Sequence, residues 1–176
     1  MANTIAIENY DVSGYMSVAE LEELARLAGE GYVLEIGTWN GRSAIWMALG
    51  GATVYCLDTY LSDCLGDGIV GGWTLGNLVD AARRYDVYKR IKPICAPWEM
   101  LLASMDLDGF TLLHYDADHG YQATFDACTV LLASPATLCV HDYDWPETKQ
   151  AVDELAVLFG RKVRVVGALA ILERVA

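Results

Sequence analysis

Apolar positions along the chain repeat with two periods, and the two alternate. Val18, Leu21, Leu24 and Leu27 follow a Ser17-Val18-Ala19-Glu20 capping box at helical spacing, so a helix is expected there, closing at Gly29 or Gly31. Short β-type runs then alternate with helical ones. Strands are predicted at Tyr32–Thr38, Thr53–Asp58, Tyr88–Cys95, Phe110–Tyr115 and Ala136–Val140. Helices are predicted at Ser43–Leu49, Leu75–Arg84, Pro97–Met105, Tyr121–Leu132 and Glu147–Phe159. Strand–helix alternation implies right-handed crossovers and a mainly parallel sheet with helices on both faces. Lys162–Val166 and Ala168–Arg174 are separated only by the region of Gly167, too little chain for a crossover, so this last pair must be antiparallel. The chain thus reads as one α/β domain over residues 1–176, with an N-terminal helical segment over 1–30. A glycine-rich stretch at 60–76 is the one irregular piece and a candidate lid.

The run that ends in Glu35-Ile36-Gly37-Thr38-Trp39-Asn40-Gly41 and opens a helix at Ser43 carries the first chemical signal. Glycine at a strand end permits a tight turn, and the helix that follows points unpaired N–H groups and a positive dipole end at an anionic ligand group. This is how open α/β sheets build nucleotide sites at the carboxyl ends of their strands. A dinucleotide fingerprint has three glycines, whereas here an acidic residue precedes two. That form resembles the first motif of class I S-adenosylmethionine (SAM)-dependent methyltransferases. The antiparallel closing pair also resembles their Rossmann-like seven-stranded sheet.

Composition narrows the reading. A hydrophobic share of 54% suits a sheet buried on both faces. No apolar run reaches the roughly 18–20 residues of a membrane span, and the N-terminus lacks the basic and apolar regions of a secretory signal. The five cysteines form no C-x-x-C pair and read as reduced thiols of a cytoplasmic protein, without a zinc pattern. A net charge of −12 argues against nucleic acid as a partner, and the local cluster Arg83, Arg84, Lys89, Arg90 and Lys92 reads as a solvated helix end.

Three strand ends carry the remaining candidates. Asp58, in Tyr55-Cys56-Leu57-Asp58, lies about 20 residues after the glycine motif, where a carboxylate can accept hydrogen bonds from ribose hydroxyls. Tyr115-Asp116-Ala117-Asp118-His119-Gly120-Tyr121 and His141-Asp142-Tyr143 end two later strands. Neighbouring strands lie about 4.8 Å apart, so Asp116 and Asp142 can converge, and a divalent cation would relieve their repulsion. Mg²⁺ suits two carboxylates, and His141 as a third ligand would favour a softer ion. His114, in mid-strand, reads as structural.

Together these motifs, in this order over residues 30–160, resemble the small O-methyltransferases typified by macrocin O-methyltransferase, the cephalosporin-biosynthesis protein and catechol O-methyltransferases. The resemblance implies SAM contacts from Glu35, Gly37, Gly41, Ser43, Asp58 and Asp116. Ala96 and Trp98, after the third strand, would border adenine. Metal ligation would come from Asp116 and Asp142 with His141, and the base would be Asp118 or His119. The expected reaction is O-methylation of a small-molecule hydroxyl, with a homodimer as a compatible assembly. Metal-dependent relatives often have Asp where this chain has His141, and the long N-terminal helical region of many relatives is missing. The rival readings are a SAM-binding protein without turnover and an NAD(P)-dependent oxidoreductase.

Overall fold

The computed structural model describes residues 10–61 and 73–174, so residues 62–72 of the stretch read as a lid lie outside the described residues. Seven strands form one sheet: β1 (Tyr32–Ile36), β2 (Thr53–Asp58), β3 (Ile91–Cys95), β4 (Leu112–Tyr115), β5 (Thr137–Val140), β6 (Arg161–Val166) and β7 (Leu169–Arg174). Their order is β3-β2-β1-β4-β5-β7-β6, parallel throughout except for β7, which runs antiparallel to both neighbours. Gly167, at φ 59°, takes the left-handed position of the two-residue turn between β6 and β7. The strand order reverses between β1 and β4, the position at which such sheets open a crevice at their carboxyl ends.

Helices α1 (Val18–Ala28), α2 (Arg42–Leu49) and α3 (Leu75–Arg84) cover one face. Helices α4 (Trp98–Leu101), α5 (Tyr121–Leu132) and α6 (Pro146–Leu158) cover the other. Strand side chains alternate between these two cores: Val33, Val54 and Leu112 face the first, and Leu34, Leu57 and Leu113 the second. The edge strands are the polar ones. β3 exposes Lys92 and Pro93, and a proline that cannot donate to a ladder is tolerated at an edge.

Several boundaries differ from those expected. The first strand stops at Ile36 because Gly37 turns the chain at φ 87°. The third begins at Ile91, since Tyr88–Arg90 form a turn in which the Arg90 N–H donates to Val87 O. The helix expected over Pro97–Met105 is only one turn, Trp98–Leu101, followed by a 3-10 turn, Leu102–Ser104. Leu102 is the only buried residue of the pair, too little to hold a longer helix. Within the N-terminal segment, only Val18–Ala28 of the described residues is helical. Residues 10–17 instead form a strap held by Arg42, which donates to the carbonyls of Met16 and Val12. No helix of the described residues is long and apolar enough to cross a membrane.

Candidate active site

The crevice has two halves. The first is built by the ends of β1 and β2. Gly37 is required there twice over: its φ is 87°, and a Cβ would come within 2.0 Å of the Asp116 carbonyl oxygen at the end of β4. Gly41, at φ 88°, caps α2, and its Cβ would strike the Leu78 side chain of α3. Between them Trp39 adopts φ 48°, a conformation unusual for its type, and its N–H donates to Asp58 Oδ2 at 2.7 Å. The Tyr60 N–H donates to Asp58 Oδ1, also at 2.7 Å. Asp58 is therefore the clasp that joins the two loops, with one further lone pair per oxygen for a ligand.

Glu35 and Ser43 lie beneath this loop. Glu35 is fully buried, opposite His114 in the β1–β4 register. Its Oε1 accepts from the Ser43 hydroxyl at 2.5 Å and lies 3.1 Å from His114 Nδ1. The Ser43 hydroxyl is thus turned inward, and His114 is structural, as its mid-strand position suggests. Glu35 Oε2 and Trp39 Nε1 are buried without a partner among the described residues. Beyond β3, the Ala96 N–H donates to Asp58 O, and Trp98 packs edge-on to Tyr115.

The second half is built by the ends of β4 and β5, and here side chains do the connecting. His141 is buried, with Nδ1 3.3 Å from Asp116 Oδ1 and 3.2 Å from Asp142 Oδ2. Burial opposes a charge on His141, but the hydrogen bonds to Asp116 and Asp142 prevail, and its pKa is pushed up to about 10. Its other nitrogen lies 3.9 Å from Glu20 Oε1, whose carboxylate also accepts from the Ala168 N–H at 2.5 Å. Asp142 is held well below the usual carboxylate range; burial opposes this, and the hydrogen bonds from His119 and His141 outweigh it. His119 Nε2 meets Asp142 Oδ2 at 2.5 Å, and this hydrogen bond raises the imidazole pKa against partial burial.

The structure thus separates residues that the sequence left together. His141 bridges the two carboxylates through its Nδ1. Asp116, His119 and Asp142 offer one donor atom each, all within 4.8 Å of one another, so His119 joins the two aspartates in a cluster that could hold an ion. Asp118 turns its Oδ1 onto the Gly120 N–H at 2.7 Å, and only His119 of the two candidate bases reaches the cluster. Three contributors had no chemical signal in the sequence. Glu20 showed only as a capping residue, whereas Thr148, which donates to His119 O, and Trp145, which packs on the His119 ring, gave no sign of a site role.

A family model described as "Methyltransferase domain" matches residues 34–143. Among solved structures, cofactor-bound Rv0187 from MTB is 20% identical with a TM-score of 0.70, over 90% of this chain and 81% of that one. The O-methyltransferase NovP is 19% identical with a TM-score of 0.66, over 90% and 81%. The O-methyltransferase from Bacillus cereus in complex with SAH is 17% identical with a TM-score of 0.67, over 91% and 83%. At these identities the likeness shows a common fold. No curated protein matches the chain in sequence.

Proposed function

Given that the chain belongs to the methyltransferase-domain family and is a SAM-dependent methyltransferase, we propose that it methylates a hydroxyl of a small molecule, with His119 as the base. The observation that carries this reading is the His119–Asp142 contact at 2.5 Å, whereas Asp118 directs one oxygen to the Gly120 N–H of its own loop. With Nε2–H donated to Asp142, the Nδ1 of His119 is the free basic nitrogen, and Asp142 fixes that tautomer. The acceptor hydroxyl gives its proton to Nδ1 as its oxygen attacks. Asp142 then stabilises the imidazolium, and the buried His141 keeps Asp142 ionised and in place.

SAM, when bound, supplies a methyl group made electrophilic by its sulfonium and leaves as the thioether. The residues of the first half fit such a ligand. Glu35 Oε2 offers a buried carboxylate oxygen to an ammonium, and Asp58 offers its remaining lone pairs to ribose. With the Ser43 hydroxyl engaged, the methionine carboxylate falls to the N-terminal N–H groups of α2, past Gly37 and Gly41. Ala96 and Trp98 remain the proposed neighbours of adenine, and alignment of the two halves is the chain's main contribution to rate.

A second reading is favoured by the spacing of Asp116, His119 and Asp142. Their oxygen, nitrogen and oxygen donors suit a divalent ion, which would lower the pKa of the acceptor hydroxyl. Asp118 would then be the base. Calorimetric titration with MgCl₂ and MnCl₂, together with methyl transfer measured in EDTA, decides between the two. Transfer that persists in EDTA with no metal uptake supports His119. Stoichiometric uptake and abolition by EDTA support the ion.

A further inference from the structure

Trp145 is the part of this crevice that the proposed reaction does not use. It is 52% exposed, on a turn whose neighbouring residues Asp144, Pro146 and Glu147 are exposed too. The turn is rigid: Asp142 takes φ 53°, the Trp145 N–H donates to Asp142 O at 2.9 Å, and Pro146 opens α6. The indole lies against the proposed base, with ring centroids 4.9 Å apart and a 32° tilt. Thr148, on the same helix, donates to the His119 carbonyl, so base and indole are anchored to one helix start. An acceptor whose hydroxyl reaches His119 must therefore lie beside Trp145. Indole is the strongest of the aromatic surfaces for stacking and for attracting cations.

Charge then selects the class of acceptor. Residues 93–148, which supply both loops of this half, contain no lysine or arginine. Asp144 and Glu147, which flank Trp145 in sequence, are exposed, as is Asp118 beside His119. The imidazoles within the site, His119 and His141, are already engaged by Asp116 and Asp142. The next cation along the chain, Lys149, is tied to Asp153 and the Tyr143 hydroxyl. A carboxylated or phosphorylated acceptor would enter against this field without a counter-charge, whereas an ammonium would be drawn toward it.

We propose, resting on the reading of this crevice as a methyl-transfer site, that Trp145 is the platform for the acceptor and that the acceptor is a hydroxyl-bearing ring compound with a protonated amine. The test is calorimetric binding to the SAH-loaded protein of two matched pairs, tyramine against 4-hydroxyphenylacetate and glucosamine against glucuronate. The pairs distinguish a phenolic from a sugar acceptor. In at least one pair the amine should bind about tenfold more tightly than the acid, as expected for a cation on an indole in a negative field. That ratio should fall in Asp144→Asn/Glu147→Gln and at about 1 M salt, where the Debye length is near 3 Å. Trp145→Ala should lose the amine affinity, whereas Trp145→Phe should retain a measurable part of it. Equal binding within both pairs, preference for the acids, no binding of any probe, or an unchanged Trp145→Ala each overturns the proposal. Selective amine binding with no methyl transfer from SAM overturns the methyl-transfer reading instead, and leaves the preference for cations standing.

Discussion

The two halves of the crevice are held together by different means. At the ends of β1 and β2 the work is done by backbone: two glycines at positive φ, Trp39 in a left-handed conformation, and main-chain N–H groups clasped by Asp58. At the ends of β4 and β5 it is done by charged side chains, in the series Glu20, His141, Asp142 and His119. A backbone-built half tolerates little change of shape and suits a cofactor of fixed structure. A half built from side chains can change its chemistry through single residues. The two touch at Gly37, whose missing Cβ lets β1 approach the Asp116 carbonyl.

The contrast is broken most severely at the base. His119→Gln should slow methyl transfer by about 10²–10⁴-fold, the span of general-base catalysis, while SAM affinity measured by calorimetry stays unchanged. Asp118→Asn should leave the rate within a few-fold. Reversal of this ranking would assign the base to Asp118.

At the junction, Gly37→Ala combines a conformation that alanine adopts poorly with a clash against backbone that cannot move aside. It should destabilise the fold by roughly 2–4 kcal/mol in urea denaturation. Asp58→Ala removes both the loop clasp and the proposed ribose contacts, and should weaken SAM binding by about 1.5–3 kcal/mol. Unchanged affinity in a folded variant would remove Asp58 from the cofactor site.

The smallest effect is one of pH, and the side-chain half should contribute to it through His141 and Asp142. His141 is raised, so its contribution is complete below the unfolded value of about 6.5 and is lost as pH climbs through about 10. Asp142 is lowered, so its contribution is complete above about 3.9 and is lost as pH falls toward its folded value. Thermal unfolding should therefore show greatest stability between these limits, with the alkaline decline shallower in His141→Gln, where the buried tyrosines and cysteines still contribute to it. An alkaline decline as steep in that variant as in the wild type would place its origin elsewhere.

The same contrast explains what could be read from the sequence. The backbone half was legible because glycine, strand and helix N-terminus follow one another along the chain, and their spacing states the geometry. The sheet was legible for a like reason, since only Gly167 and Ala168 separate β6 from β7. The side-chain half was only partly legible. Its aspartates appear at strand ends, but rotamers decide which imidazole joins them. His119, on the loop, meets Asp142 through Nε2, whereas His141, adjacent to Asp142, bridges both aspartates through Nδ1. Glu20 could not be linked to His141, because the two meet only after α1 has packed beside the β6–β7 turn. The short α4 was misread as a full helix because Pro97 and the apolar residues after it fit a helix start, while burial is confined to Leu102.

The central claim is that His119, oriented by Asp142, takes the proton from the acceptor hydroxyl. It is tested most directly by the pH–rate profile of methyl transfer from SAM in EDTA, with wild type and His119→Gln measured in parallel. Because the Asp142 contact raises the His119 pKa, the wild-type rate should climb as pH rises through a value above about 6.5. In His119→Gln that limb should vanish, with the rate about 10²-fold or more lower. A variant that keeps both the wild-type rate and its pH limb, or a wild type inert in EDTA and restored by a divalent ion, would contradict the claim.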